Sequence, residues 1–262
     1  MAYKPFDLSG RVALVTGGNG GIGLGFGEAI AAAGGDVCIW GRNEKKNAEA
    51  LEKLQAAGPN GNHSALFCDV AKEADVEARF AETLERHGRV DGCFANAGVS
   101  ARGKSFIEMD IEDWRYVMSV NMDGVFYTFR AAARHMVERA KNGDPFGRLV
   151  GTASLAALSG PARNEHYAFS KGGLVSMMNA LAIEFARHGV TANSILPGWI
   201  ETEMTEDAFA DPRFSGNVMP RMPMRRWGKP EDFGGIAVYI MSDASSFHTA
   251  ESFLIDGGYW VF

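Results

Sequence analysis

The chain has 262 residues, enough to bury a sizeable core, and its 46% hydrophobic and 22% charged content is ordinary for a water-soluble globular protein. A net charge of -6 argues against a nucleic-acid surface and gives no attraction to an anionic membrane. Three scattered cysteines exclude a disulfide framework or a zinc site.

The first element in chain order is a β-branched run at residues 11–16 (R-V-A-L-V-T), read as a buried strand. Upstream of it, M-A-Y-K-P-F-D-L-S-G shows no apolar signal-peptide core. No later segment is long and apolar enough to span a bilayer, so a cytoplasmic protein with no membrane partner is expected. A glycine cluster and a helix over 21–33 follow, closed by Gly34-Gly35. Strands are then expected at 36–41, 63–68 and 90–95, separated by helices at 44–57 and 73–87. Cys38, Cys68 and Cys93 fall in these apolar runs and read as small buried hydrophobes of a reducing compartment.

The alternation continues with one long helix over 110–140, a strand at 148–153, a helix at 164–187 and a strand at 190–196. Residues 201–227 carry prolines and methionines with little periodicity, as functional loops often do. A helix opens at Pro230-Glu231-Asp232, and a last strand occupies 252–255. Strict strand–helix alternation with near-continuous apolar strands indicates an α/β fold, a parallel sheet covered on both faces. No linker or repeat divides the chain, so one domain over 1–262 is the simplest organisation.

The first strand–helix turn reads T-G-G-N-G-G-I-G. A glycine-rich turn lets a diphosphate approach the backbone, and the following helix N-terminus offers free N–H groups. Gly17, Asn19, Gly20, Gly21, Ile22 and Gly23 are therefore candidate nucleotide contacts. Gly25 and Gly27, further along, read as close packing against the sheet. The second strand ends Trp40-Gly41 and is followed by Arg42-Asn43 rather than by an acid. An acid there would suit the ribose hydroxyl of NAD, whereas a guanidinium suits the 2′-phosphate of NADP. Arg42 thus favours NADP over NAD, although Glu44 close behind can pair with it instead.

A second cluster lies at residues 154–171: S-L-A-A-L-S-G-P-A-R-N-E-H-Y-A-F-S-K. Ser154 ends a strand, and Tyr167 and Lys171 sit four apart on a helix, on one face. A free phenol has a pKa of about 10, too high for a base near neutrality, and an adjacent ammonium lowers it. With the Ser154 hydroxyl to hold an oxygen, these are parts for moving a proton to or from an oxygen on carbon. His166 neighbours Tyr167 but points about 100° away on the helix, so it is expected to face elsewhere. His63, His87, His135, His188 and His248 have no company at metal-ligand spacing and read as surface or core residues.

With these motifs in place the chain resembles the short-chain dehydrogenase/reductase family, nearly end to end. T-G-G-N-G-G-I-G is similar to its nucleotide turn, and Asp69-Val70 to the pair it places at the adenine. Asn96-Ala97-Gly98 resembles its N-A-G motif, and Asn121 in S-V-N-M-D-G-V-F its catalytic asparagine. Ser154, Tyr167 and Lys171 match its serine and Y-x-x-x-K, and Pro197-Gly198 its P-G turn. Residues 226–232 and 255–259 resemble its C-terminal signatures.

The resemblance implies a Rossmann-type sandwich: a seven-stranded parallel sheet, order 3-2-1-4-5-6-7, with three helices on each side. It implies hydride transfer between NAD(P) and a secondary alcohol or ketone, without a metal. Tyr167 would be the acid/base. Lys171 would lower its pKa and hold the nicotinamide ribose, and Ser154 would hold the substrate oxygen. Asn121 would anchor a water relaying protons from Lys171 to solvent. The nicotinamide amide is expected near Ile200, with Thr202 on the diphosphate. Two departures stand out: no basic residue precedes Gly21, which keeps NAD open, and H-T-A-E at 248–251 replaces a commoner V-T-G-Q type of turn.

Residues 201–227 would form a lid, with Trp199, Met204 and Phe209 lining the substrate pocket. Phe214, Val218, Met219, Val99, Leu155, Ala156 and Phe169 are further candidates. Arg102, Lys104 and Arg163 are alternative contacts for an anionic substrate. The resemblance also implies a homotetramer, or a homodimer, through the helices at 110–140 and 164–187 and the last strand. Rival readings are a 3-oxoacyl carrier-protein reductase, a catalytically silent nucleotide-binding scaffold, and an epimerase or dehydratase. The intact Asn121, Ser154, Tyr167 and Lys171 set argues against a silent protein. The glycine spacing argues against the epimerase class.

Overall fold

The apolar, β-branched runs form the strands of the computed structural model, which describes residues 4–101 and 103–262. They are β1 (Val12–Thr16), β2 (Asp36–Gly41), β3 (Ser64–Phe67) and β4 (Gly92–Ala95), then β5 (Gly147–Thr152), β6 (Val190–Pro197) and β7 (Ser252–Ile255). Between them run α1 (Gly21–Ala32), α2 (Glu44–Ala57), α3 (Glu73–His87), α4 (Ile111–Met118), α5 (Gly124–Lys141) and α6 (Glu165–Phe185). After β6 come α7 (Glu206–Ala210), α8 (Pro212–Val218) and α9 (Gly234–Met241).

All seven strands pair in parallel in the order β3-β2-β1-β4-β5-β6-β7. Side chains alternate across each strand and feed two cores. On one face Leu14 packs with Phe80 of α3, Phe129 of α5 and Leu174 of α6. On the other, Ala13 and Val15 pack with Phe26 of α1, Leu54 of α2 and Phe233 at the entry to α9. Trp40 is fully buried, and its indole N–H donates to Thr83 Oγ1 at 3.1 Å, so its one polar atom is satisfied. Cys38 and Cys93 lie in strands, whereas buried Cys68 stands one residue beyond β3.

Local signals set the helix ends. The Asn43 side chain accepts the Lys46 N–H at the start of α2, and Asp110 accepts the Asp113 N–H at the start of α4. The long helix expected over 110–140 is continuous but not uniform: Ser119–Asp123 forms a π turn between α4 and α5. Residues 201–227 are less irregular than expected, since α7, α8 and a 3-10 turn at Met219–Arg221 lie within them. The glycines inside α1 pack as anticipated, but against different partners. A methyl group on Gly25 would strike the Pro230 carbonyl, and one on Gly27 would come within 2.9 Å of Leu54. In the H-T-A-E turn Ala250 adopts φ +62°, a left-handed conformation that a glycine takes without cost.

Strand order reverses direction between β1 and β4. The chain leaves β1 toward β2 on one side, and leaves β4 toward β5 on the other. In such a sheet ligands bind beyond the carboxyl ends of the strands, at that reversal.

Candidate active site

The switch point is knitted together by hydrogen bonds. Thr16 Oγ1, at the end of β1, accepts the backbone N–H groups of Asn96 and Ala97, each at 3.0 Å. Asn96 Nδ2 returns donors to the carbonyls of Thr16 and Gly17. Gly17 and Gly21 hold φ +62° and +50°, which fixes the turn between β1 and α1. A methyl group on Gly23 would strike Asn96 Nδ2 and the Gly17 carbonyl. Gly23 therefore serves this packing and does not face the cleft. Gly20 has open space where a side chain would be, and no side chain caps α1. Free N–H groups and a favourable dipole thus face that space, as an anionic diphosphate requires.

A cleft of about 1100 Å³ runs from this turn across the ends of the strands. The glycine turn, Ile22, Arg42, Asn43 and Val70 line its first part. Asn96, Ala97, Gly98, Pro197, Gly198, Ile200 and Thr202 line its middle. The cradle fits a dinucleotide: an open glycine at a helix start, a long row of lining residues across the strand ends, and a guanidinium in the part beside the glycine turn. Arg42 is half exposed and meets Asp69 only at 4.0 Å, so the carboxylate near it is Asp69 rather than the alternative Glu44. Asp69 itself stands beside the cleft wall, between its lining neighbours Cys68 and Val70. Asn19 lines the cleft, and its side-chain Nδ2 donates to Asn47 Oδ1 at 2.7 Å. Lys46 of α2 and Glu203, beyond β6, both line the cleft and pair at 2.5 Å. β2 and β6 lie on opposite sides of β1, so this ion pair joins two walls of the cleft.

Ser154, Tyr167 and Lys171 converge on the wall made by β5 and α6. Ser154 Oγ accepts the Ala156 N–H at 3.1 Å, which leaves the hydroxyl proton free to donate. The Lys171 ammonium is 5% exposed, donates to the Thr152 carbonyl at 2.7 Å and lies 5.5 Å from the Tyr167 ring centre. Burial pushes its pKa down from 10.5 to about 8.

Asn121 sits in the π turn, buried behind this wall, and does not line the cleft. Its Oδ1 accepts the Val99 N–H at 2.8 Å, and its Nδ2 donates to Val99 O at 3.0 Å and Ser170 Oγ at 3.1 Å. A methyl group on Gly98 would stand 3.4 Å from both Asn121 Oδ1 and Lys171 Nζ. The glycine of N-A-G therefore lets these two groups share one space.

A family model described as enoyl-(acyl carrier protein) reductase matches residues 17–260. A 3-oxoacyl-(acyl-carrier-protein) reductase of Chlamydia pneumoniae is 33% identical, over 96% of this chain and 97% of its own. A gluconate 5-dehydrogenase of Gluconobacter oxydans is 34% identical, over 98% and 97%. The solved structure of a gluconate 5-dehydrogenase from Burkholderia cenocepacia, in complex with NADP and tartrate, superposes with a TM-score of 0.91. It is 32% identical and covers 98% of each chain. The chain belongs to the short-chain dehydrogenase/reductase family. Membership brings the reaction class with it: NAD(P)-dependent hydride exchange on a CH–OH group.

In this short-chain dehydrogenase/reductase the substrate end of the cleft only partly follows the expected residues. Ala156, Trp199, Met204, Leu155 and Val99 line it. Phe209 does not, because its ring stacks on Trp227 at 3.9 Å, at the centre of an aromatic cluster with Phe214. Phe169 faces outward onto Trp114 at 5.3 Å, and Val218 and Met219 are not lining residues either. Lys104 is no substrate contact: Asp110 and Asp113 hold its ammonium at 2.5 and 2.7 Å. Arg163 lies outside the cleft, and Arg102 lies outside the described residues. His166 is buried and does not reach the cleft, as its position on the helix requires. Arg221, Tyr259 and Trp260 also line the cleft; Tyr259 ends the 255–259 signature but was not read as a site residue, and nothing in the sequence singled out Arg221 or Trp260.

Proposed function

We propose that this wall performs acid/base chemistry on a secondary alcohol or ketone, with Tyr167 as the group that moves the proton. The observation that carries the reading is the convergence of Ser154, Tyr167 and Lys171 on one wall of a cleft that begins at the glycine turn. The bound nicotinamide dinucleotide supplies or accepts the hydride. In reduction the Tyr167 phenol gives its proton to the carbonyl oxygen; in oxidation its phenolate takes the alcohol proton. Ser154, its own oxygen already accepting from Ala156, donates to the same substrate oxygen and stabilises charge there. Lys171 places a positive charge beside the phenol and favours its ionised form. Asn121 holds the segment after β4 through both backbone groups of Val99, and from there would anchor the water that relays protons from Lys171 to solvent.

Gly17, Gly20, Gly21, Ile22 and Thr202 would hold the diphosphate, and Asn96, Ala97, Gly98 and Ile200 the nicotinamide half. Arg42, loosely paired and half exposed, favours the 2′-phosphate of NADP over NAD. Residues 201–227 act as a lid on what is one catalytic domain. Three buried unpaired thiols suit a reducing cytoplasm, and the assembly is a homo-oligomer, a tetramer before a dimer. The relatives include a gluconate 5-dehydrogenase and a 3-oxoacyl-(acyl-carrier-protein) reductase, so both substrate classes belong in the test.

Purified protein offered sugar acids, simple secondary alcohols and a 3-oxoacyl thioester with each nicotinamide should turn over at least one. Tyr167→Phe should lower kcat by on the order of 100-fold or more with dinucleotide affinity unchanged. Retained turnover in that variant removes Tyr167 from the role. Arg42→Ala should weaken NADPH binding and leave NADH binding nearly unaltered; equal losses would refute the 2′-phosphate contact.

A further inference from the structure

Arg221 closes the 3-10 turn Met219–Arg221 and lines the cleft. Its guanidinium is a planar cation with five donors. Among the described residues no carboxylate lies within ion-pair distance of it. It is positioned instead by Tyr259: Nη1 donates to the phenol oxygen at 3.0 Å, and the guanidinium carbon stands 4.5 Å over the ring. Tyr259 is itself held in place. Asp256 accepts the Gly258 N–H at 2.9 Å and the Trp260 N–H at 2.7 Å, bending the chain through Gly257 and Gly258 at φ +65° and +85°. That turn docks on the segment carrying Arg221, since the Gly257 carbonyl accepts the Met224 N–H at 3.3 Å.

The other charges lining the cleft have protein partners. Arg42 meets Asp69, Lys171 meets the Thr152 carbonyl, and Lys46 meets Glu203, the one acidic lining residue among those described. Beside Tyr259 the Trp199 indole N–H is buried with no acceptor, which costs free energy until a ligand supplies one. The substrate end therefore presents donors and one unneutralised positive charge, with no acid of its own.

We propose that this end of the cleft is an anion site and that the substrate is a hydroxy acid or keto acid whose carboxylate is read by Arg221. One guanidinium matches one carboxylate in charge, and its fork matches both oxygens in geometry. Tyr259 is the positioning residue that aims it. The proposal rests on the proposed reaction only in taking the substrate's reacting oxygen to lie at Tyr167.

D-gluconate and D-glucitol share a carbon skeleton and differ in one carboxylate, which makes them the probes. Calorimetric titration of the protein saturated with reduced dinucleotide, with which neither compound can react, should show gluconate binding at least tenfold tighter. Arg221→Ala should abolish that preference and Arg221→Lys should restore part of it. Arg213→Ala, a neighbouring arginine outside the cleft, should leave it intact. Equal binding of the two compounds to the unaltered protein, or an undiminished preference in Arg221→Ala, overturns the proposal. Tyr167→Phe separates the two readings: it should keep the charge preference, so continued turnover in that variant sinks the reaction scheme and leaves the anion site standing.

Discussion

Lys171 shows how one buried charge links folding to chemistry. Its pKa is pushed down to about 8 by burial, against 10.5 for the ordinary side chain. Between those values the unfolded chain binds the extra proton, so stability rises with pH across that window, and the full cost of the buried ammonium is present below about 8. Lys171→Met should therefore be more stable than the parent near neutrality in urea unfolding, and its advantage should shrink as pH climbs through the window. An advantage independent of pH would mean that the ammonium carries no burial cost. The Ser154–Tyr167–Lys171 group was legible because a helix places residues four apart on one face, and spacing alone encodes that. The pairing of Arg221 with Tyr259 was not legible, although Tyr259 ends the 255–259 signature. The two residues stand 38 positions apart, and the turn at Asp256 that joins them is a three-dimensional accident of two irregular segments.

Among the elements, the strands and the helices α2 and α3 fall where hydrophobic period and punctuation put them, because Gly88 and the Asn43 cap mark their ends. The π turn at Ser119–Asp123 escaped notice because one widened turn leaves the apolar period on either side nearly unchanged. α7 and α8 escaped because helices of five and seven residues are too short to show a period. The glycines of α1 illustrate a different constraint. Alanine at position 25 would gain helix propensity, but its methyl group has only the Pro230 backbone to occupy. Gly25→Ala should destabilise the protein by about 1–3 kcal/mol, read as a lowered Tm, because the segment at Pro230–Phe233 must move. A neutral substitution would show that this packing is loose.

At the scale of the whole molecule, the sheet topology was readable because strict strand–helix alternation leaves few chain paths. The resemblance puts a subunit contact on the helices at 110–140 and 164–187. A second groove of about 320 Å³ lies between α5 and α6, lined by Phe126, Phe129, Met177, Leu181 and Phe185. Phe126 is 47% exposed there, an expensive position for a phenyl ring in water. A second copy of the chain placing the same helices across a two-fold axis would cover it. Phe126→Glu should therefore yield a smaller species in light scattering after size exclusion, with an unchanged circular dichroism spectrum. A variant of unaltered mass would show that this groove is not a subunit contact.

The ion pair between Lys46 and Glu203 has a kinetic consequence. It ties the wall carried by α2 to the segment after β6, and both side chains touch solvent. Such a tie is weakened by dissolved salt, whose screening length is about 8 Å at physiological ionic strength. Release of a bound dinucleotide should then quicken as salt is added, read by stopped-flow fluorescence at two ionic strengths; a rate indifferent to salt would show that the pair does not hold the cleft closed.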